Sequence, residues 1–312
     1  MSRYATIDIG TNSVLLLIAD RDRDGNFVPV AERAEITRLG RGVDRTQRLA
    51  QQGMEDTLKV LVEFAAEARA AGAREIAVSA TSAARDAQNG ADFFRAAQQR
   101  ADVEVEVISG DREAQLTFLA VAQDFAGAEP DRPLVVIDIG GGSTEFVYGA
   151  PLAEPGAIFY RRSFEVGSVR LTERFIRSDP VDDGERQQLI EHLHEKLTLP
   201  RPPDRFRMVG VAGTVTTLYA LLHQVEPYDA ARVHGQTIAL SELQALSRKL
   251  CSTPLAERKR LPGLQPKRAD VICAGALILE VAMLRLGAGA CLVSDRGLRW
   301  GLMLERFGRV DR

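Results

Sequence analysis

Apolar and polar positions near the start of the chain alternate in short bursts separated by turn-forming residues. Tyr4 to Ile9 reads as a strand, Gly10-Thr11-Asn12 as a turn, and Val14 to Ala19 as a second strand. A further turn over Asp22 to Asn26 leads to a third strand, Phe27 to Ala31. The period then lengthens. Gln52 to Ala71 is rich in Ala, Leu and Glu at helical spacing, and Gly72 supplies a C-cap. Next come a strand (Glu75 to Ser79), a helical stretch to Arg100, a strand (Val103 to Ile108) and a helix from Arg112 to Phe125. Three strands followed by alternating helix and strand predict a layered α/β domain.

After a polar, proline-bearing break at Ala128 to Pro133 the pattern starts again. Leu134 to Ile139 reads as a buried strand, Gly140-Gly141-Gly142 as a turn, and Thr144 to Tyr148 as a second strand. Helices are predicted over Ser168 to Ile176 and Asp182 to Leu197. Strand Met208 to Ala212 then runs into Gly213 and a helix from Val215 to His223. Helices Ser241 to Cys251 and Arg268 to Arg285, a strand Cys291 to Ser294 and a last helix after Gly297 complete the reading. Ile7-Asp8-Ile9-Gly10-Thr11-Asn12-Ser13 is matched by Ile137-Asp138-Ile139-Gly140-Gly141-Gly142-Ser143. Each copy ends the first strand of its half and opens a hairpin, which suggests two related domains holding one ligand in the cleft between them.

The length of 312 residues agrees with two domains, divided as residues 1–127 and 128–298. A net charge of −3 disfavours nucleic acid as a general partner. Cys251, Cys273 and Cys291 lie far apart without a CxxC pair, as in a chain from a reducing compartment. The N-terminus lacks the pattern of a signal peptide, and the longest apolar run, Val271 to Leu279, is too short to span a bilayer. A cytoplasmic protein with no membrane partner is the expectation.

Turns rich in Gly, Ser, Thr and Asn expose backbone N–H groups and hydroxyls that can bind an anion. An acidic residue beside each turn would repel a phosphate unless a cation lies between them. Mg²⁺ suits that place, and Asp8, Asp138 and Glu145 are the candidate carboxylates. The plainer alternative is two tight turns whose Asp side chains cap the backbone. No GxxxxGK[ST] or HExxH motif occurs. His192 and His194 diverge on a helix and read as solvent-facing, while His223 and His234 read as structural. Acid–base chemistry therefore falls to carboxylates.

Eight segments in order resemble the exopolyphosphatase / guanosine-pentaphosphate phosphohydrolase family. They include Ile7 to Ser13, Ala80 to Ala87, Ile108 to Ala114, Asp138 to Glu145, Gly167 to Glu173, Gly213 to Thr217, Pro262 to Asp270 and Ser294 to Arg299. The resemblance implies two ribonuclease-H-like domains of the actin-like ATPase superfamily with an interdomain cleft. It also implies a C-terminal helix, 299–312, packed on the first domain. It implies Glu113 as catalytic base with Arg85 beside it, Mg²⁺ on Asp138 and Glu145, and a homodimer. Thr11, Asn12, Ser13, Gly141, Gly142, Ser143, Thr144, Gly213 and Thr214 are the phosphate-binding candidates. Arg112 departs from the family, many members of which have a second acidic residue there; a local preference for a polyanion is one expectation.

The implied substrate is inorganic polyphosphate, with guanosine pentaphosphate as a second candidate. Arg258-Lys259-Arg260 with Lys267-Arg268, and Arg161-Arg162 with Arg170, are candidate tracks for a long polyanion, although charge runs more often belong to a solvated face. Two other readings use the same hairpins. One is an ATP-dependent phosphotransferase of the acetate- or sugar-kinase type; the other is a non-enzymatic, actin-like nucleotide-binding protein.

Overall fold

The structure is a computed structural model that describes residues 2–125, 127, 129, 132–151 and 157–308. Ala128, Pro130 and Asp131 of the expected linker, and 309–312 of the expected last helix, lie outside the described residues. The chain divides into two compact units, one formed by 1–120 with 298–312 and the other by 121–297.

In the first unit the elements are β1 (Ser2–Ile9), β2 (Ser13–Arg21), β3 (Phe27–Ile36), α1 (Val43–Thr46) and α2 (Gln51–Ala70). They continue with β4 (Ile76–Ala80), α3 (Ser82–Asp86), α4 (Gly90–Ala101), β5 (Val105–Val107) and α5 (Gly110–Phe125), whose last turns belong to the second unit. The sheet order is β3-β2-β1-β4-β5. β1, β2 and β3 pair antiparallel, while β1, β4 and β5 pair parallel. This is the ribonuclease-H-like arrangement.

Helix α2 buries Leu58, Leu61, Ala65 and Ala68, the apolar stripe its spacing predicts, against Ile7, Leu16 and Val78 of the sheet. The other face of the sheet is covered by α13 (Leu298–Phe307). Trp300, Met303 and Phe307 pack with Leu17, Ala19 and Phe27, and Phe307 stacks on Tyr4 with ring centroids 4.4 Å apart. β3 runs to Ile36 rather than stopping at Ala31. As an edge strand it tolerates Pro29 and polar side chains, which hid its second half from the hydrophobic pattern. The helical stretch expected up to Arg100 is interrupted between Asp86 and Gly90.

The second unit contains β6 (Leu134–Ile139), β7 (Thr144–Ala150), β8 (Ala157–Phe164), α6 (Ser168–Phe175), α7 (Asp183–Lys196), β9 (Arg207–Val211) and α8 (Ala212–His223). After these come α9 (Ala230–Val233), β10 (Thr237–Ala239), α10 (Leu240–Ser252), α11 (Leu255–Arg258), a 3-10 turn (Pro266–Arg268), α12 (Ile272–Leu286) and β11 (Ala290–Val293). Its sheet order is β10-β11-β9-β6-β7-β8. The run from β8 to β11 repeats the order of the first unit, with β10 added at one edge. The expected helix from Arg268 begins only at Ile272, behind the 3-10 turn. Helix α12 is apolar nearly all round and lies buried as the central helix of this core. Among the described residues no helix is long and apolar enough to cross a membrane.

Candidate functional site

In the first unit the candidate residues gather at the carboxyl ends of β1, β4 and β5, where open α/β sheets present their loops to ligands. Gly10 N donates to Ser13 O at 2.9 Å and closes the β1–β2 hairpin. The turn carbonyls face one way. Thr11 O accepts from Gly40 N, and Asn12 O accepts from Thr37 N and Arg38 N. In a planar trans peptide each N–H points opposite the preceding carbonyl. The N–H groups of Asn12 and Ser13 therefore point away from the 37–40 segment. Thr11 is held at its hydroxyl, 2.9 Å from Ser82 Oγ at the start of α3.

Glu113 lies in the first turn of α5, and Ser109 helps to fix that turn. Ser109 O accepts from Glu113 N at 2.9 Å, and Ser109 Oγ accepts from Arg112 N at 3.2 Å. Asp111 is exposed whereas Glu113 is buried, so the helix start turns one carboxylate to solvent and one inward. Arg85 donates from Nη1 to Ile108 O at 3.1 Å and from Nε to Asp86 at 3.2 Å. That ties it to the strand end from which α5 begins. Arg112 pairs with Glu305 on α13, so its charge is spent on packing the last helix.

The second unit repeats the hairpin in the same register. Gly140 N donates to Ser143 O at 3.0 Å, and Ile139 pairs with Thr144 as Ile9 pairs with Val14. Here the carbonyls are captured by the start of α6. Gly140 O accepts from Ser168 N, Gly141 O from Val169 N and Arg170 N, and Gly142 O from Arg170 Nε at 2.8 Å. The arrangement satisfies the helix's own first N–H donors. By the same planarity, the N–H groups of Gly141, Gly142 and Ser143 point away from α6. Gly167 permits the close approach. A Cβ there would stand 2.4 Å from Gly141 O. The sequence reading assigned Gly167 and Ser168 no role, and it placed Arg170 on a track; all three support the turn.

Asp138 and Glu145 are direct cross-strand partners in this hairpin, both buried, with side chains on one face of the sheet. Ser163 Oγ on β8 donates to Glu145 Oε1 at 2.6 Å. The equivalent partner of Asp8 is Leu15, so the first hairpin carries a single carboxylate. Two buried carboxylates side by side repel unless a cation or proton is shared. Mg²⁺ is commonly held by one or two carboxylates, with waters and phosphate oxygens completing the octahedron, and the Asp138–Glu145 pair fits that demand. Among the described residues no three or more His, Cys, Asp or Glu side chains form a metal-sized group.

The Gly213-Thr214 step follows β9, which is parallel to β6. Thr214 Oγ1 donates to Ile139 O at 3.1 Å, joining this turn to the hairpin. Ala212 takes a left-handed φ of 67°, an uncommon conformation for a residue with a side chain and one that collects at ligand-binding turns. A Cβ on Gly213 would meet the Arg268 guanidinium at 2.3 Å. Arg268 is thus laid flat on the turn, and desolvation holds its pKa below the usual arginine value.

The basic runs read as tracks do not behave as units. Arg258 is buried and donates to Leu250 O and Cys273 Sγ, while Lys259 and Arg260 are exposed. His192 is also not solvent-facing. It is half-buried against Phe175 with ring centroids 4.9 Å apart, and burial lowers its pKa, with Arg174 and Lys196 adding to the effect.

The family model described as the Ppx/GppA phosphatase family matches residues 17–309. The chain is similar to Exopolyphosphatase 2 of Mycobacterium tuberculosis, 36% identical with 99% of each chain covered. Among solved structures it resembles the Ppx/GppA family member of Aquifex aeolicus, 34% identical with 97% of each chain covered and a TM-score of 0.80. It also resembles an exopolyphosphatase from Cytophaga hutchinsonii, 27% identical with 97% of each chain covered and a TM-score of 0.87.

Proposed function

The chain belongs to the Ppx/GppA phosphatase family, and from that premise we propose that it is a Mg²⁺-dependent phosphoanhydride hydrolase. It releases orthophosphate from the ends of inorganic polyphosphate, with the 5′-γ-phosphate of guanosine pentaphosphate as a second substrate. The observation that carries this reading is the Gly141 to Ser143 turn, whose N–H groups face away from α6 beside the buried Asp138–Glu145 pair. A donor-lined turn next to two carboxylates suits a phosphate chain that arrives with a divalent cation.

Phosphoryl transfer has a loose transition state, so the protein's work is to position groups and neutralise charge. Glu113, held inward on the first turn of α5, accepts the proton of the attacking water. Such a base contributes about 10²–10⁴-fold. Asn12, Ser13 and the Gly141 to Thr144 turn donate to phosphoryl oxygens. Thr11 and Thr214 hold these turns in shape through their hydroxyls. Arg268, flat on Gly213, places a desolvated cation where negative charge gathers, and Arg85 fixes the strand end that launches α5. Asp138 and Glu145 would hold Mg²⁺, which supplies charge neutralisation at the phosphates; Asp8 is the further candidate carboxylate. The three buried free cysteines support a reducing, cytoplasmic setting. A homodimer is the expected assembly, to be read from mass in solution.

The test is phosphate release, with and without Mg²⁺, from short polyphosphate, long polyphosphate, guanosine pentaphosphate and ATP in parallel. Polyphosphate should be the preferred substrate, and Glu113→Gln should bind it but lose at least about 10²-fold in turnover. Preference for ATP, or near-normal turnover by the variant, would overturn the assignment.

A further inference from the structure

Successive residues of a strand face opposite sides of the sheet. On β4, Val78 and Ala80 lie with Ile7 and Ile9 of β1 in the core under α2, while Ala77 packs on the other side against the clusters of Trp300, Met303, Leu302 and Leu116. Ser79 therefore faces the side that α5 and α13 cover. On β1 so do Thr6 and Asp8, and the Thr6 hydroxyl donates to Arg299 O on α13 at 2.9 Å. The register sets Asp8 beside Ser79 and Ser79 beside Glu106, one polar row across β1, β4 and β5. Glu106 pairs with Arg306 on α13. The Ser79 side chain is fully buried, and among the described residues its Oγ finds no hydrogen-bond partner.

The helix over this row brings Glu113 toward it. Leu116 of α5 belongs to the apolar cluster against which Ala77 packs. From that level Glu113 lies three residues back along α5, about 4.5 Å, and Ser79 two residues on along β4, about 6.6 Å. Both steps lead toward the carboxyl ends of the strands, because α5 runs back from the end of β5. They bring Ser79 and the inward-turned, buried Glu113 to a similar height over the sheet. A hydroxyl carries one donor and two acceptor positions, and leaving them unmet in a protein interior costs free energy. A hydroxyl set among carboxylates suits a buried water, which needs two to four polar partners.

From this placement we propose that Ser79 binds a fixed water on the sheet face beneath the first turn of α5 and is, through that water, a positioning residue for Glu113. The proposal rests on the reading of Glu113 as the base of the hydrolysis. Ser79 Oγ–H donates to the water oxygen, and the two water hydrogens go to the carboxylates of Asp8 and Glu113. No covalent bond changes. The bond from Glu113 N to Ser109 O fixes where the side chain starts but leaves its three torsions to be set. The water sets them, and the carboxylate is then held in one orientation toward the attacking solvent molecule.

The experiment pairs crystallography with kinetics on the full-length protein and on Ser79→Ala. In the wild-type electron density a water should lie within about 3.2 Å of Ser79 Oγ and of one carboxylate oxygen of both Asp8 and Glu113. It should be missing from the variant. Ser79→Ala should lower kcat on polyphosphate at least about 10-fold. KM should stay within about two-fold, because the buried Ser79 does not touch the substrate. The melting temperature should not fall, since the change removes a hydroxyl without a protein partner; a packing role would lower it. No water on Ser79 Oγ, a water out of reach of Glu113, or wild-type turnover by the variant would each overturn the proposal. Absence of phosphate release from every substrate would sink the hydrolase reading and the positioning role with it, while the density by itself still decides the water site. The wild-type map gives that decision even if the variant folds poorly.

Discussion

Substitution of Gly167 by Ala tests whether the carbonyl-capturing start of α6 sets the second hairpin. Gly167 has φ −136° and ψ 160°, extended backbone that alanine adopts freely, so no conformational strain enters. The effect is steric alone. The new Cβ would lie 2.4 Å from Gly141 O and 2.5 Å from the carbonyl carbons of Gly141 and Gly142, where ordinary contact begins at 3.4 Å. All three atoms are backbone, so relief requires the turn and α6 to separate by about 1 Å. A displacement of that size at reacting groups costs about 10²-fold in rate, and overpacking costs about 1–3 kcal/mol of stability. The assay is steady-state phosphate release from polyphosphate, with thermal unfolding measured on the same samples. Gly289→Ala is the control, because a Cβ there meets nothing within 4 Å. It should change stability by no more than about 0.5 kcal/mol. A folded Gly167→Ala protein with turnover within a few-fold of the original would show that the turn's position does not govern activity.

Other outcomes follow from the same structure. Asp138→Asn should shift the Mg²⁺ activation curve to higher concentration, and an unchanged titration removes Asp138 from the metal shell. Arg112→Glu would face Glu305 with a like charge and lower the melting temperature, while the swap with Glu305→Arg should restore it. A coupling of about 0.5–1 kcal/mol is expected for this partly exposed pair. A double-mutant cycle with no coupling would mean that the pair contributes nothing. His192 has a pKa lowered by burial, so the unfolded chain takes its proton first as the pH drops. Its contribution to stability is present above the unfolded pKa of about 6.5 and is lost as the pH falls through the folded value. His192→Gln should flatten that part of the melting-temperature profile, and an unaltered slope would contradict the sign.

Helix α2 and the central helix α12 followed from their apolar spacing, because a buried stripe or cylinder needs no partner to be recognised. β8 was not recognised. Ala157 to Phe164 carries Arg161 and Arg162 on an edge strand, where solvent tolerates charge and the alternation is blurred. Arg268, the last residue of the 3-10 turn, was merged into the following helix, since it fits a helical pattern equally well. The basic residues were the least legible. Arg170, Arg258 and Arg268 look alike in a run of letters, yet one holds a turn carbonyl, one is buried against a thiol and one lies on a glycine.

The sequence by itself determined the repeated acidic hairpin, the alternation of strands and helices in each half, and the buried stripes. These depend on spacing, local turn chemistry and the period of side-chain exposure, all of which are written along the chain. The tertiary structure alone decided which carbonyls α6 would capture, and hence which way the turn's N–H groups face. It also laid Arg258 against Cys273 and paired Arg112 with Glu305. Each of these requires residues distant in sequence to meet in one orientation, and a pattern of apolar positions fixes which face is buried without saying what lies against it.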